Sequence, residues 1–117
     1  MNTKHKTVFI AFSSQKGGVG KTTTTENVAI GLARNGCNVL IVDFDPQGDL
    51  TSCLGWKNND SLEHSVSSML DDYINDNDIN YESLILHHEE HVDLIPANIE
   101  LADFEMLLLP AFPYRVQ

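Results

Sequence analysis

An α/β fold with a mostly parallel sheet is what this sequence predicts, and three observations predict it. The run Thr7-Val8-Phe9-Ile10-Ala11-Phe12 shows no polar alternation, as expected for a strand buried on both faces of a parallel sheet. A glycine-rich loop follows it, and Thr22 to Asn35 then reads as a helix with Val28, Ala29, Leu32 and Ala33 as its inward stripe and Gly36 closing it. A second apolar run, Val39-Leu40-Ile41-Val42, then ends in Asp43. Strand, helix and strand at this spacing form a βαβ unit with parallel strands and a right-handed crossover. The expected architecture is Rossmann-like and three-layered, with ligands bound beyond the carboxyl ends of the strands.

The loop between the first strand and the helix carries the chemistry. In Ser14-Gln15-Lys16-Gly17-Gly18-Val19-Gly20-Lys21-Thr22-Thr23, three glycines in four positions let backbone N–H groups close around an anion, because no Cβ blocks the approach. The following helix adds unpaired N–H groups and the positive end of its dipole. Lys21 is placed to reach the β- and γ-phosphates of a nucleotide, and the Thr22 hydroxyl to ligate Mg²⁺. The pattern G-x-x-x-x-G-K-[ST] is met at Gly20-Lys21-Thr22 but has Gln15 at its first glycine, with a second lysine, Lys16, beside it.

Lys16-Gly17-Gly18-Val19-Gly20-Lys21-Thr22-Thr23 resembles the deviant P-loop of the ParA/Soj, MinD and nitrogenase iron-protein ATPases. The resemblance implies a P-loop NTPase fold, ATP and Mg²⁺ as cofactors, and those eight residues as the nucleotide cradle. For Lys16 it implies a side chain that reaches across an ATP-dependent homodimer to the partner's nucleotide. There it would neutralise charge developing on the transferred phosphoryl group.

The second informative stretch is Asp43-Phe44-Asp45-Pro46-Gln47-Gly48-Asp49-Leu50-Thr51. An acid pair at a strand's carboxyl end can hold the waters of Mg²⁺ and orient a nucleophile. Pro46 and Gly48 set a turn that keeps both carboxylates near the phosphates. The segment is similar to Asp-x-Asp-Pro-Gln-Gly-Asn-x-Thr of ParA/Soj proteins, whereas MinD lacks the Pro-Gln and nitrogenase iron proteins carry Pro-Lys. It departs from that pattern at Asp49, which adds a negative charge near the phosphate site. The resemblance makes Lys16, Lys21 and Asp45 the expected catalytic residues. Thr22 and, through water, Asp45 are the expected metal contacts, with Asp43 behind them. It also implies slow hydrolysis and a loop ordered by the γ-phosphate.

Farther along, helical spacing of Val66, Met69, Leu70 and Tyr73 predicts a helix capped by Ser61. The Asn-rich acidic stretch 71–82 reads as a loop or a weak helix. Val92-Asp93-Leu94-Ile95 reads as a strand stopped by Pro96, and Asn98 as the cap of a helix to Leu109 with Leu101, Phe104, Leu107 and Leu108 inward. Leu94 to Ala102 is similar to the Pro-[SA]-Asn-x-x-Leu-Ala segment of ParA/Soj proteins, so three ordered motifs cover residues 7–109. The match stops at Pro110. The resemblance implies a chain of roughly twice this length, so residues 1–117 read as the N-terminal part of one ParA-like domain, truncated before the Walker B strand. An unpaired edge on strand 7–12 is the expected consequence.

Charge and composition narrow the function classes. The net charge is −10, and residues 58–114 hold thirteen Asp/Glu and no Lys or Arg. That surface repels nucleic acid and anionic membrane. No apolar run is long enough to span a bilayer and no signal-peptide pattern opens the chain, so a cytoplasmic protein is expected. Cys37 and Cys53 make neither a disulfide framework nor a zinc site. His87-His88-Glu89-Glu90-His91 fails the His-Glu-x-x-His pattern, because Val92 stands where the second histidine belongs; His87 and His91 could share a helix face without further ligands. No Asn-Lys-x-Asp guanine motif occurs, which favours ATP. The function implied by resemblance is that of a partition ATPase in chromosome or plasmid segregation. A ParB-like stimulator and non-specific DNA, bound through C-terminal regions, are its implied partners; the location is the cytoplasm, at the nucleoid. A MinD-like or cellulose-synthesis-associated membrane ATPase and a catalytically inactive regulatory fragment are the alternatives.

Overall fold

The computed structural model describes residues 6–12 and 19–108. Its elements are α1 (Val19–Arg34), β1 (Val39–Val42), α2 (Asp49–Cys53), a 3₁₀ turn (Asn59–Ser61), α3 (Val66–Ile74), α4 (Tyr81–Leu84), β2 (Leu86–His87), β3 (Val92–Ile95) and α5 (Glu100–Leu108). The sheet order is β1-β3-β2. β1 and β3 are parallel, pairing Val39 with Val92 and Val42 with Ile95, while β2 runs antiparallel to β3.

Helices cover both faces of this sheet, as strands with apolar residues on both faces require. On one face Ile41, Val92 and Leu94 pack with Ala29 of α1 and with Leu50 and Leu54 in and just beyond α2. On the other, Ile95 and Val42 pack with Val66 of α3, Leu84 of α4 and Leu101 of α5. The result is three layers. Among the described residues no helix is long and apolar enough to cross a membrane.

α1 begins at Val19, three residues before the expected start, and ends as predicted. Gly36 has φ 89°, the left-handed value that glycine adopts without a Cβ penalty. Its N–H donates to Ala33 O at 3.0 Å and the Cys37 N–H to Leu32 O at 3.1 Å, which closes the last turn. Of the inward stripe, Ala29 is buried and Ala33 half-buried, but Val28 and Leu32 stay exposed. The four-residue link reverses the chain, so α1 runs back along β1 and its N-terminus lies toward the edge where β1 ends.

Four expectations are corrected. Residues 7–12 form no strand, and Val8, Phe9 and Ile10 are 75%, 91% and 58% exposed. A strand needs a ladder partner, and the parallel partner of β1 is β3 instead of the expected 7–12. The α3 helix is capped by Ser65, whose N–H donates to Ser68 Oγ at 2.8 Å; Ser61 lies in the preceding 3₁₀ turn. Tyr73, on the same helix, is 75% exposed, because the core closes over Val66, Met69 and Leu70 before reaching the last turn. His87 and His91 share no helix: His87 stands in β2 and His91 in the turn that joins β2 to β3, where His91 has φ 63° and the His88 N–H donates to Val92 O. α5 follows its prediction as far as it is described, with Leu101 buried, Phe104 packed on the core and the Glu100 N–H donating to Asn98 Oδ1 at 3.1 Å; Leu109 and the side chains of Leu107 and Leu108 lie outside the described residues.

Candidate nucleotide site

Parallel β1 and β3 leave the sheet by the same edge, and two turns meet there. The Asp43 N–H donates to Ile95 O at 3.1 Å, extending the ladder one residue and pinning the acid turn beside Pro96. Asp43 is only 4% exposed, and both its oxygens are engaged. Oδ1 accepts the Asp45 N–H at 3.0 Å, while Oδ2 accepts the Thr51 N–H at 3.1 Å and the Thr51 hydroxyl at 2.7 Å. Three donors thus satisfy the buried carboxylate.

The turn then folds on itself. The Gln47 N–H donates to Asp45 Oδ1 at 3.0 Å, and the Gly48 N–H to Asp45 O at 2.8 Å. The second carboxylate oxygen of Asp45 accepts nothing among the described residues, and the residue is half-buried. Gly48 has φ 65°, and a Cβ there would collide with the Asn59 Nδ2 and lie 3.0 Å from Ala97 O. Asp49 opens α2 exposed to solvent, at the helix end where a negative charge is favourable.

The candidate residues divide in three. Lys16, Gly17 and Gly18 lie outside the described residues. Val19, Gly20, Lys21, Thr22 and Thr23 form the first turns of α1, with Lys21 and Thr22 half-buried and no acidic residue in the first turn. Asp43 and Asp45 stand beyond β1, joined by their own hydrogen bond. α2, which follows the acid turn directly, packs against α1. No hydrogen bond or ion pair links Lys21 or Thr22 to either aspartate among the described residues. Among the described residues nothing beyond the helix's own turn lies within 4 Å of a Cβ placed on Gly20.

Thr51 is the functional candidate that sequence reasoning missed. It is fully buried, and besides bonding Asp43 its Oγ1 accepts the Ala97 N–H at 3.1 Å. Its place at the end of the second motif was the available signal. The partner 46 residues away was not legible locally. Around it the 96–99 segment is held at every step: Pro96 O accepts the Val66 N–H, Ala97 O the Asn59 Nδ2–H, and Asp60 Oδ1 the Ile99 N–H.

The residues present suit Mg²⁺ with a nucleotide. No group of three or more His, Cys, Asp or Glu among the described residues could hold an ion alone. Mg²⁺ ordinarily binds through one or two carboxylates, waters and substrate phosphates rather than a protein cage. The Asp45 carboxylate oxygen that accepts nothing among the described residues and the Thr22 hydroxyl at a helix N-terminus are such a donor set.

Residues 7–116 match the model of a family described as an AAA domain. The sporulation initiation inhibitor protein Soj of Bacillus subtilis (strain 168) is 44% identical over 108 residues, covering 92% of this chain and 41% of Soj. The chain belongs to the ParA/Soj-type AAA-domain family. It spans about two fifths of the length of the curated relatives it matches. Among solved structures, the cobyrinic acid a,c-diamide synthase of Mycobacterium smegmatis with bound ATP analog and magnesium superposes with a TM-score of 0.71 at 41% identity, covering 83% of this chain and 37% of that one. A plasmid partition protein from Borrelia burgdorferi superposes with a TM-score of 0.64 at 25% identity, covering 89% and 49%. The three-layer arrangement is therefore that of the ParA/Soj-type P-loop fold, with a mixed sheet in which the short β2 runs antiparallel to β3.

Proposed function

We propose that this chain is the N-terminal part, residues 1–117, of a single ParA/Soj-type domain and binds Mg·ATP between the loop 16–23 and the acid turn 43–49. The observation that carries the proposal is that Gly20, Lys21 and Thr22 occupy the first turn of a sixteen-residue helix packed against the element that follows the acid turn. The M. smegmatis structures with an ATP analog or with ADP and magnesium support the choice of ligand.

In this reading the backbone N–H groups of residues 17–22 hold the phosphates, and the Lys21 ammonium balances their charge. Thr22 and Asp45 hold the metal, Asp45 through a water. When bound, Mg²⁺ neutralises charge on the phosphate oxygens. Asp43 holds Asp45 in place, and Lys16 serves a neighbouring copy in an ATP-dependent homodimer. Hydrolysis of the β–γ phosphoanhydride in chromosome or plasmid partition, with a ParB-like stimulator, is the activity proposed for the whole protein. The cytoplasm is its proposed location. The Borrelia plasmid partition protein supports partition as the process.

The test is equilibrium binding of Mg·ATP to the chain and to Lys21→Ala. Removing the one cation in the helix's first turn should weaken binding at least tenfold, since a charge-assisted contact is worth about 1.5–3 kcal/mol. Equal affinity would sink the assignment.

A further inference from the structure

We propose that Thr51 is a positioning residue: its buried hydroxyl is the joint that sets the acid turn and the 96–99 segment relative to one another. The hydroxyl has one proton and can accept as well as donate. It donates to Asp43 Oδ2 at 2.7 Å and accepts from the Ala97 N–H at 3.1 Å, with Thr51 fully buried. The other oxygen of the same carboxylate accepts the Asp45 N–H at 3.0 Å. A continuous run of hydrogen bonds therefore passes from the Asp45 backbone through Asp43 and Thr51 to Ala97. From there Asn98, next in the chain, caps α5. Serine can make the same two bonds, whereas valine keeps the shape and makes neither. In a buried site the lost partners leave Ala97 N–H unpaired and the Asp43 carboxylate short of a donor, which releases its grip on Asp45.

The consequence for nucleotide rests on the function proposed above; the joint itself does not. With Asp45 freed, the metal-dependent share of nucleotide affinity falls while the metal-free share, held by the α1 turn, is kept.

The experiment is amide hydrogen exchange by NMR on the whole chain, comparing wild type, Thr51→Val and Thr51→Ser. In Thr51→Val the Asp45 and Ala97 amides should exchange roughly tenfold faster or more, beyond any change in the β1–β3 ladder, with Thr51→Ser close to wild type. Unchanged exchange at Asp45, or a uniform rise across all amides, would overturn the proposal. If Thr51→Val does not fold, the Thr51 hydroxyl proton of the wild type decides. A resolved resonance with a cross-peak to the Ala97 amide supports the joint, and its absence at low temperature removes it. ATP binding with and without Mg²⁺ then reads the consequence. Thr51→Val should lose about tenfold in the Mg²⁺-dependent gain alone, and a gain equal to wild type would overturn the coupling. Failure of the wild type to bind nucleotide would remove the proposed function and leave the exchange result to decide the joint.

Discussion

Gly48 shows how narrowly one backbone position can be constrained. Its φ of 65° lies where L side chains rarely go, and Asn59 and Ala97 crowd the place a Cβ would take. Gly48→Ala should therefore cost about 1–3 kcal/mol in a denaturant melt, from strain and from displacing the Asn59 side chain off Ala97 O. A loss below ~0.5 kcal/mol would mean that the turn is not held as described. The glycine and proline of this turn were legible in the sequence, because turn chemistry is local. The collision partner was not, since Asn59 arrives from a separate 3₁₀ turn. The same holds for Asp43. Its position at a strand end was readable, but its engagement by Thr51 and Asp45 needed the loop to close.

Among the elements, α3 separates what propensity predicts from what packing selects. Two serines, Ser61 and Ser65, precede its apolar residues, and either satisfies a capping rule. The structure uses Ser65, which is buried and bonded to Ser67 and Ser68, and leaves Ser61 exposed on a bond to Asn58 O. Ser65→Ala should lower stability by about 1 kcal/mol or more, and Ser61→Ala by no more than about 0.5 kcal/mol. Paired thermal melts check this, and equal losses would return the cap to Ser61. Packing decided it: the Val66 N–H donates to Pro96 O at 2.8 Å, which fixes where the first helical turn can stand. α1 was easier to foresee, because its closing glycine and the strand after it are local signals.

For the whole molecule, the two apolar layers and the segment 7–12 make opposite demands. Leu94 is fully buried between β1, β2 and the α1 layer, so Leu94→Ala should cost about 2–5 kcal/mol. Phe9 is 91% exposed, so Phe9→Ser should leave stability within about 0.5 kcal/mol. Exposed contiguous apolar surface drives association, and light scattering against concentration should show less self-association for Phe9→Ser than for the unsubstituted chain. Equal scattering would mean that this surface plays no part. The unbroken apolar run made 7–12 a strand by expectation. The periodicity could not reveal that β1 would take β3 as its parallel partner instead.

By itself the sequence determined the family, a helix after the glycine-rich loop, the strands at 39–42 and 92–95 and the acid turn, because each is written in a contiguous stretch with local physical causes. Only the tertiary structure decided which serine caps α3, that residues 7–12 stand outside the sheet, and that Thr51 links Asp43 to Ala97. Those outcomes depend on partners tens of residues apart, and a hydrogen bond or a ladder exists only once the chain has brought both ends together.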